Sequence, residues 1–175
     1  MPTSLPIARR GLAALALALV LGACAQPPAA HAELPRQDPA NCRGQAEITP
    51  LQPLTIVGAK GAARFMVEMA MTPMQQEFGL MCRKALAGDR GMLFDFGGPT
   101  DNVGFWMRNT LIGLDIVYIR PDGTILSIAR NAAPLDESPI PAGGTIRAVL
   151  EIRAGRAAEL GLQPGDKVEQ RIFGR

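Results

Sequence analysis

"LDIVYIRPDGTILSI", Leu114 to Ile128, reads as strand, turn and strand. Leu114–Ile119 and Thr124–Ile128 are rich in β-branched and large apolar residues. Between them lies Arg120-Pro121-Asp122-Gly123-Thr124, where Pro presets one φ and Gly supplies another. A hairpin of this kind needs further strands to be stable, and the chain offers them on both sides. Leu54–Val57 and Arg64–Met71 are predicted strands joined at Gly58-Ala59-Lys60-Gly61. In the second of these, Phe65, Val67, Met69 and Met71 fall on one face. Gly91–Phe96, Ile146–Ile152 and Lys167–Phe173 complete the set.

Helical signals are few. Thr72-Pro73-Met74-Gln75 combines an N-cap Thr, a first-turn Pro and a Gln that closes a capping box. Met74, Phe78 and Met81 then mark a short apolar stripe. Ala154–Leu160 is a second short helix with Gly161 in the C-cap position. Many short strands separated by turns predict a closed or sandwiched β architecture carrying two short helices. Gly97–Gly104 is glycine-rich but lacks the Gly-Lys-Ser/Thr of a phosphate loop. Asn131–Thr145 is a long proline-rich loop, the kind that tends to carry function or to lack structure.

The N-terminus has the layout of an export signal over residues 1–24: Arg9-Arg10, the apolar Gly11–Val20, then Leu21-Gly22-Ala23-Cys24. The apolar part is shorter than the about 20 residues that a bilayer span requires. Leu-Gly-Ala-Cys resembles a lipobox, which makes Cys24 a lipidation candidate. Ala30-His31-Ala32 is a competing cleavage site for ordinary signal peptidase. Both readings predict an exported, periplasmic protein, with membrane attachment only through lipid at Cys24. Residues 25–45 hold Pro27, Pro28, Pro35 and Pro39 without apolar periodicity and read as a tether. Residues 46–175 read as one domain.

Removing Arg9 and Arg10 from the 18 basic residues leaves 16 against 16 acids. Nucleic-acid binding, which needs a clustered positive surface, is not expected. His31 is the single histidine and precedes the domain. Ser–His and Cys–His catalysis and imidazole metal sites are therefore excluded from the domain, and no cofactor or metal is expected. Met66, Met69, Met71, Met74, Met81, Met92 and Met107 read as core packing in preference to a soft-metal site.

With Cys24 lipidated, Cys42 and Cys82 are left as a pair in an oxidising compartment. Bridging them without strain is worth about 4 kcal/mol of chain entropy. Two unrelated thiols are the alternative, since spacing alone does not define pairing.

"GFWMRNTLIGLDIVYI", Gly104–Ile119, places Arg108, Asn109 and Asp115 in an apolar run. Asp115 shares a face with Val117 and Ile119, both faces of that strand are apolar, and the carboxylate is expected to be buried. A buried carboxylate needs a partner; Arg108, Arg83 and the amides near Asn109-Thr110 are the candidates. One reading makes this a turn, with Asp115 capping its amides. The other makes Trp106, Arg108 and Asn109 the lining of a ligand pocket, the indole a platform and the guanidinium an anion clamp. Glu68 and Glu151 each lie opposite an apolar row and read as outward, solvated residues.

Several ordered motifs resemble the family named domain of unknown function 192. They are Thr72-Pro73 leading to Gly79-Leu80-Met81-x-Arg83; Gly91-Met92-Leu93-Phe94; Phe105-Trp106-Met107-Arg108-Asn109-Thr110; Leu114-Asp115; Leu150-Glu151-Ile152 with Ala154-Gly155; and Gly165-Asp166. The resemblance runs from about Leu54 to the C-terminus and implies a jelly-roll-like β-sandwich with no established activity. Cys82 stands where the family commonly has an aromatic or aliphatic residue, and Gly113 where a proline is often found.

Three functions are left to distinguish. The first is a non-catalytic module of the cell envelope that binds a small ligand, glycan or protein, with Trp106, Arg108, Asn109, Asp115 and Arg83 as candidate residues. The second is a carboxylate-based hydrolase of envelope polymers drawing on Asp95, Asp101, Asp115 and Glu151. The third is a structural or assembly factor.

Overall fold

In the computed structural model, which describes Met1 and residues 34–174, the hairpin at Leu114–Ile128 lies at one side of a seven-stranded sheet. The strands are β1 (Gln52–Gly58), β2 (Gly61–Ala70), β3 (Arg90–Thr100), β5 (Leu114–Ile119), β6 (Ile125–Ala132), β8 (Ile146–Arg153) and β9 (Lys167–Glu169). Their order is β6-β5-β8-β3-β2-β1-β9. All pairs are antiparallel except β2 with β3. A parallel pair needs a crossover, and α1 (Pro73–Phe78) lies within it. A second, two-stranded ribbon joins β4 (Gly104–Phe105) to β7 (Ile140–Pro141), and α2 (Arg156–Leu160) follows β8.

The sheet curls until its two edge strands meet at one end. Thr124 bridges Lys167, Ile125 N–H donates to Asp166 O at 2.9 Å, and Val168 N–H donates to Gly123 O at 2.8 Å. The fold is thus mainly β, a partly closed barrel with two short helices. No helix among the described residues is long and apolar enough to cross a membrane.

Both faces of the sheet are covered. The inner cluster contains Leu54, Ile56, Phe65, Val67, Leu93, Val117, Ile119, Leu150, Ile152 and Val168. The outer cluster contains Leu80, Met92, Phe94, Met107, Leu114, Ile116, Tyr118 and Val149. Strand alternation therefore does not separate core from solvent here, and two expectations are corrected on this ground. Glu68 and Glu151 are each only 4% exposed, because their face lies under the outer cluster and not in water. The methionine reading also needs correcting in part. Met69, Met81, Met92 and Met107 are buried, whereas Met66, Met71 and Met74 are exposed. The capping box at Thr72 and Gln75 forms as predicted. The helix ends after six residues at Gly79 (φ 47°), so Met81 lies beyond it and Met74 points outward.

Residues 34–174 fall in one compact unit, Glu33–Arg175. Its N-terminal edge thus lies upstream of the expected boundary at residue 46. Leu34 to Ile48 forms a strap lying against the barrel, held by hydrogen bonds described below. Its only regular element among the described residues is a 3-10 turn at Pro39–Asn41, and its proline-rich composition leaves main-chain groups free to dock. The export signal, Cys24 and the Ala30-His31-Ala32 site lie outside the described residues.

Candidate functional site

Met107 to Thr110 turns the chain from β4 towards β5. Thr110 N–H donates to Met107 O at 3.0 Å, and Asn109 adopts φ 56°. Asparagine tolerates that left-handed conformation better than most residues. The turn fixes the direction of two side chains. Asn109 is 3% exposed. Its Oδ1 accepts the Gln37 N–H at 2.8 Å, and its Nδ2 donates to the Pro35 carbonyl at 2.9 Å. Arg108 stacks over the Trp106 ring at 4.1 Å, within cation–π range. Its Nε and Nη2 donate to Glu137 Oε2 at 3.1 and 2.9 Å, and its Nη1 reaches the Leu34 carbonyl at 3.4 Å.

Glu137 comes from the long loop, which Met107 N–H anchors by donating to Asp136 O at 2.7 Å. The other Glu137 oxygen pairs with Arg36 of the strap. Burial tends to raise the Glu137 carboxyl, but hydrogen bonds from Arg108 and Arg36 outweigh it and hold it below the usual range. Glu137 belongs to this site and was not among the residues expected. Nothing local marks it, since an acid in a proline-rich loop is ordinary.

Cys42 and Cys82 are joined by a disulfide, with Cα atoms 5.3 Å apart. Cys82 N–H donates to Asn109 O at 2.8 Å, so the bridge ties the strap to the backbone of the site itself. Gln45 Nε2 donates to Gln75 O and Gly79 O at 3.0 and 2.9 Å and extends this attachment.

Asp115 and Arg83 lie elsewhere. Asp115 is fully buried, and among the described residues its partners are main-chain amides. Its Oδ1 accepts from Asn131 N–H at 2.8 Å and Gly155 N–H at 3.2 Å, and its Oδ2 from Ala157 N–H at 2.8 Å. A ring of amides holds this carboxylate, but the amides come from the end of β6 and the start of α2, not from Asn109-Thr110. Arg83 pairs instead with Glu68, at 2.9 Å, while Ile48 N–H donates to the same Glu68 oxygen at 2.7 Å. The expected grouping of five residues resolves into three: Trp106–Arg108–Asn109 at the strap, Arg83 with Glu68, and Asp115 at α2.

The acids considered for hydrolysis do not converge. Asp115 and Glu151 lie on neighbouring strands but on opposite faces of the sheet, since Asp115 pairs in register with Ile152 and Glu151 with Ile116. Asp95 is engaged by Arg147 Nε at 2.9 Å, and Asp101 is exposed and paired with Thr145. Glu151 and Glu68 share the outer face with Met92 between them. Burial pushes the Glu151 carboxyl up to about 8, and its Oε2 is buried without a hydrogen-bond partner. Tyr118 nearby is raised by burial and by Glu151. A shallow cleft of about 250 Å³ lies at the β1–β9 edge, lined by Gln52, Pro53, Thr55, Glu169, Gln170 and Arg171, and contains none of the expected site residues.

A partly closed barrel with a short polar edge, strapped by its own N-terminal segment, is the class of protein these features define. The chain belongs to the DUF192 family, described as "Uncharacterized ACR, COG1430", whose model matches residues 55–170. No curated protein matches the chain. Among solved structures it is similar to a protein of unknown function from Novosphingobium aromaticivorans DSM 12444. That pair shows 45% identity, covers 70% of this chain and 91% of the other, and has a TM-score of 0.68. It is also similar to a Sinorhizobium meliloti 1021 protein described as a "putative transcription regulator", at 39% identity, covering 74% and 99% of the two chains, with a TM-score of 0.69.

Proposed function

We propose that this protein is a non-catalytic binding module of the cell envelope, with its recognition edge at Trp106, Arg108, Asn109 and Glu137. One observation carries the reading. The Asn109 carboxamide and the Arg108 guanidinium direct hydrogen bonds to main-chain groups of a segment lying against the barrel, although Asn109 Nδ2 also reaches the buried Met81 Sδ at 3.7 Å. A rigid fold that presents a stacked Trp–Arg pair, a fixed carboxamide and a carboxylate along one edge is suited to holding a ligand. The export-like N-terminus and a disulfide support a location outside the cytoplasm, periplasmic and lipid-anchored where Cys24 is processed.

A carboxylate hydrolase is disfavoured because its two best-buried acids, Asp115 and Glu151, are separated by the sheet. Gene regulation, named for the Sinorhizobium protein, gains no support from a mature chain with equal numbers of acids and bases. The test is a thermal-shift screen of the purified mature protein against metals, sugars, nucleotides, peptides and envelope fragments. A genuine ligand raises the melting temperature with dose and shifts the Trp106 indole N–H resonance, and both effects disappear in Arg108→Ala. A panel that leaves the indole resonance unmoved overturns the reading.

A further inference from the structure

We propose that the ligand of this edge is an extended peptide main chain, read with a proline followed by a basic residue, and that residues 34–37 are a tethered copy of it. The inference rests on the binding-module reading and names the ligand class.

The Asn109 carboxamide accepts from the N–H of Gln37 and donates to the carbonyl of Pro35, the two groups that flank Arg36. In an extended chain the C=O of one residue and the N–H of the second residue after it point to the same side. A strand in a parallel ladder offers its neighbour one N–H and one C=O at that spacing. The carboxamide thus replaces one residue of a partner strand, which is strand addition reduced to a single side chain. Arg108 and Glu77 continue the pattern on main-chain atoms, at Leu34 O (3.4 Å) and Leu34 N–H (3.3 Å). Pro35 lacks an N–H, and the edge asks for none there.

Among the described residues, the polar contacts between this stretch and the edge use one of its side chains, that of Arg36 with Glu137. The edge therefore cannot tell its own strap from another extended peptide carrying proline and a cation in the same places. What favours the strap is covalent attachment. Gln37 lies five residues before Cys42, and the Cys42–Cys82 bridge keeps it at high effective concentration.

The experiment uses the mature protein in two ¹⁵N-labelled forms, oxidised wild type and Cys42→Ser/Cys82→Ser, titrated with the blocked hexapeptide Glu-Leu-Pro-Arg-Gln-Asp. In the disulfide-free form, millimolar peptide is expected to raise solvent exchange of the Gln37 amide about tenfold. The Asn109 side-chain resonances stay at their bound positions, because one main chain replaces another. Oxidised wild type requires about tenfold more peptide for the same effect. A peptide N-methylated at its Gln fails in both, having lost the hydrogen that Asn109 accepts. Arg36→Glu with the disulfide intact gives a second handle, since it removes the Arg36–Glu137 ion pair and is expected to admit the same peptide.

If Gln37 stays protected in both variants, or the N-methylated peptide competes equally, the proposal is overturned. If a glycan or small anion displaces the strap where peptides do not, the peptide class falls and the binding edge stands. If no class of ligand displaces it, both fall.

Discussion

Asp115 and Glu151 are one register step apart on neighbouring strands, and both are buried acids, yet the barrel treats them in opposite ways. On the inner face Asp115 satisfies three main-chain N–H groups and joins β6 to the start of α2. On the outer face Glu151 lies between Met92 and Ile116 in register, with one oxygen unpartnered, and burial lifts it to about 8. The difference lies in the supply of donors. The end of β6 and the start of α2 arrive beside Asp115, whereas the face over Glu151 is closed by apolar side chains. One acid organises the chain around it; the other is tolerated by keeping its proton.

Removing Asp115 therefore has the largest expected effect. Asp115→Ala leaves three main-chain N–H groups without their acceptor, the one at Ala157 buried and those at Asn131 and Gly155 part-buried, at up to about 1–3 kcal/mol each. The expected loss is about 5 kcal/mol, enough to unfold many domains of this size. Urea denaturation checks it, and a loss below about 1 kcal/mol would remove Asp115 from its organising role.

Glu151 sharpens the contrast through pH. Its folded pKa exceeds the ordinary value of 4.5, so between 4.5 and about 8 the folded chain binds more protons than the unfolded one. Stability then falls as pH rises through that window and levels off above it. Glu151→Gln cannot ionise. Relative to wild type it is expected to gain about 4 kcal/mol between the acidic and alkaline ends of the window. Parallel urea midpoints for the two proteins across the range would show Glu151 to be charged in the fold.

Much of this was legible in the sequence, and the losses share a cause. The strands, the capping box at Thr72 and the burial of Asp115 follow from local pattern. Glu68 and Glu151 were misread because alternation reports which residues share a face, not whether that face is dry. Only tertiary packing brings Leu80, Met107 and Tyr118 over the outer face. Asp115's donors at Asn131, Gly155 and Ala157 lie 16 to 42 residues along the chain, beyond any local signal. The strap was hidden for a related reason: its docking at Asn109 uses main-chain atoms, which carry no sequence signature.

The strap offers the same contrast at a weaker level, since it is held from outside by few contacts and one covalent tie. Cys42→Ser/Cys82→Ser is expected to cost about 4 kcal/mol of global stability, less than Asp115→Ala. Comparing denaturation under oxidising and reducing conditions gives the same quantity in wild type. An unchanged midpoint would mean that the bridge does not form in the protein.

Arg108→Lys gives the smallest expected effect and the finest test. Lysine keeps the charge but loses the planar fork that meets Glu137 and stacks on Trp106. The expected loss is about 1 kcal/mol, and it should fall on the strap alone. The barrel's core on both faces is built without Arg108, so the urea midpoint is expected to hold. The Gln37 amide, whose hydrogen bond to Asn109 requires the strap to be seated, should exchange about fivefold faster. If the midpoint drops in step with that exchange, strap and barrel unfold as one unit. The edge at Trp106 would then be part of the core and not a surface that a segment visits.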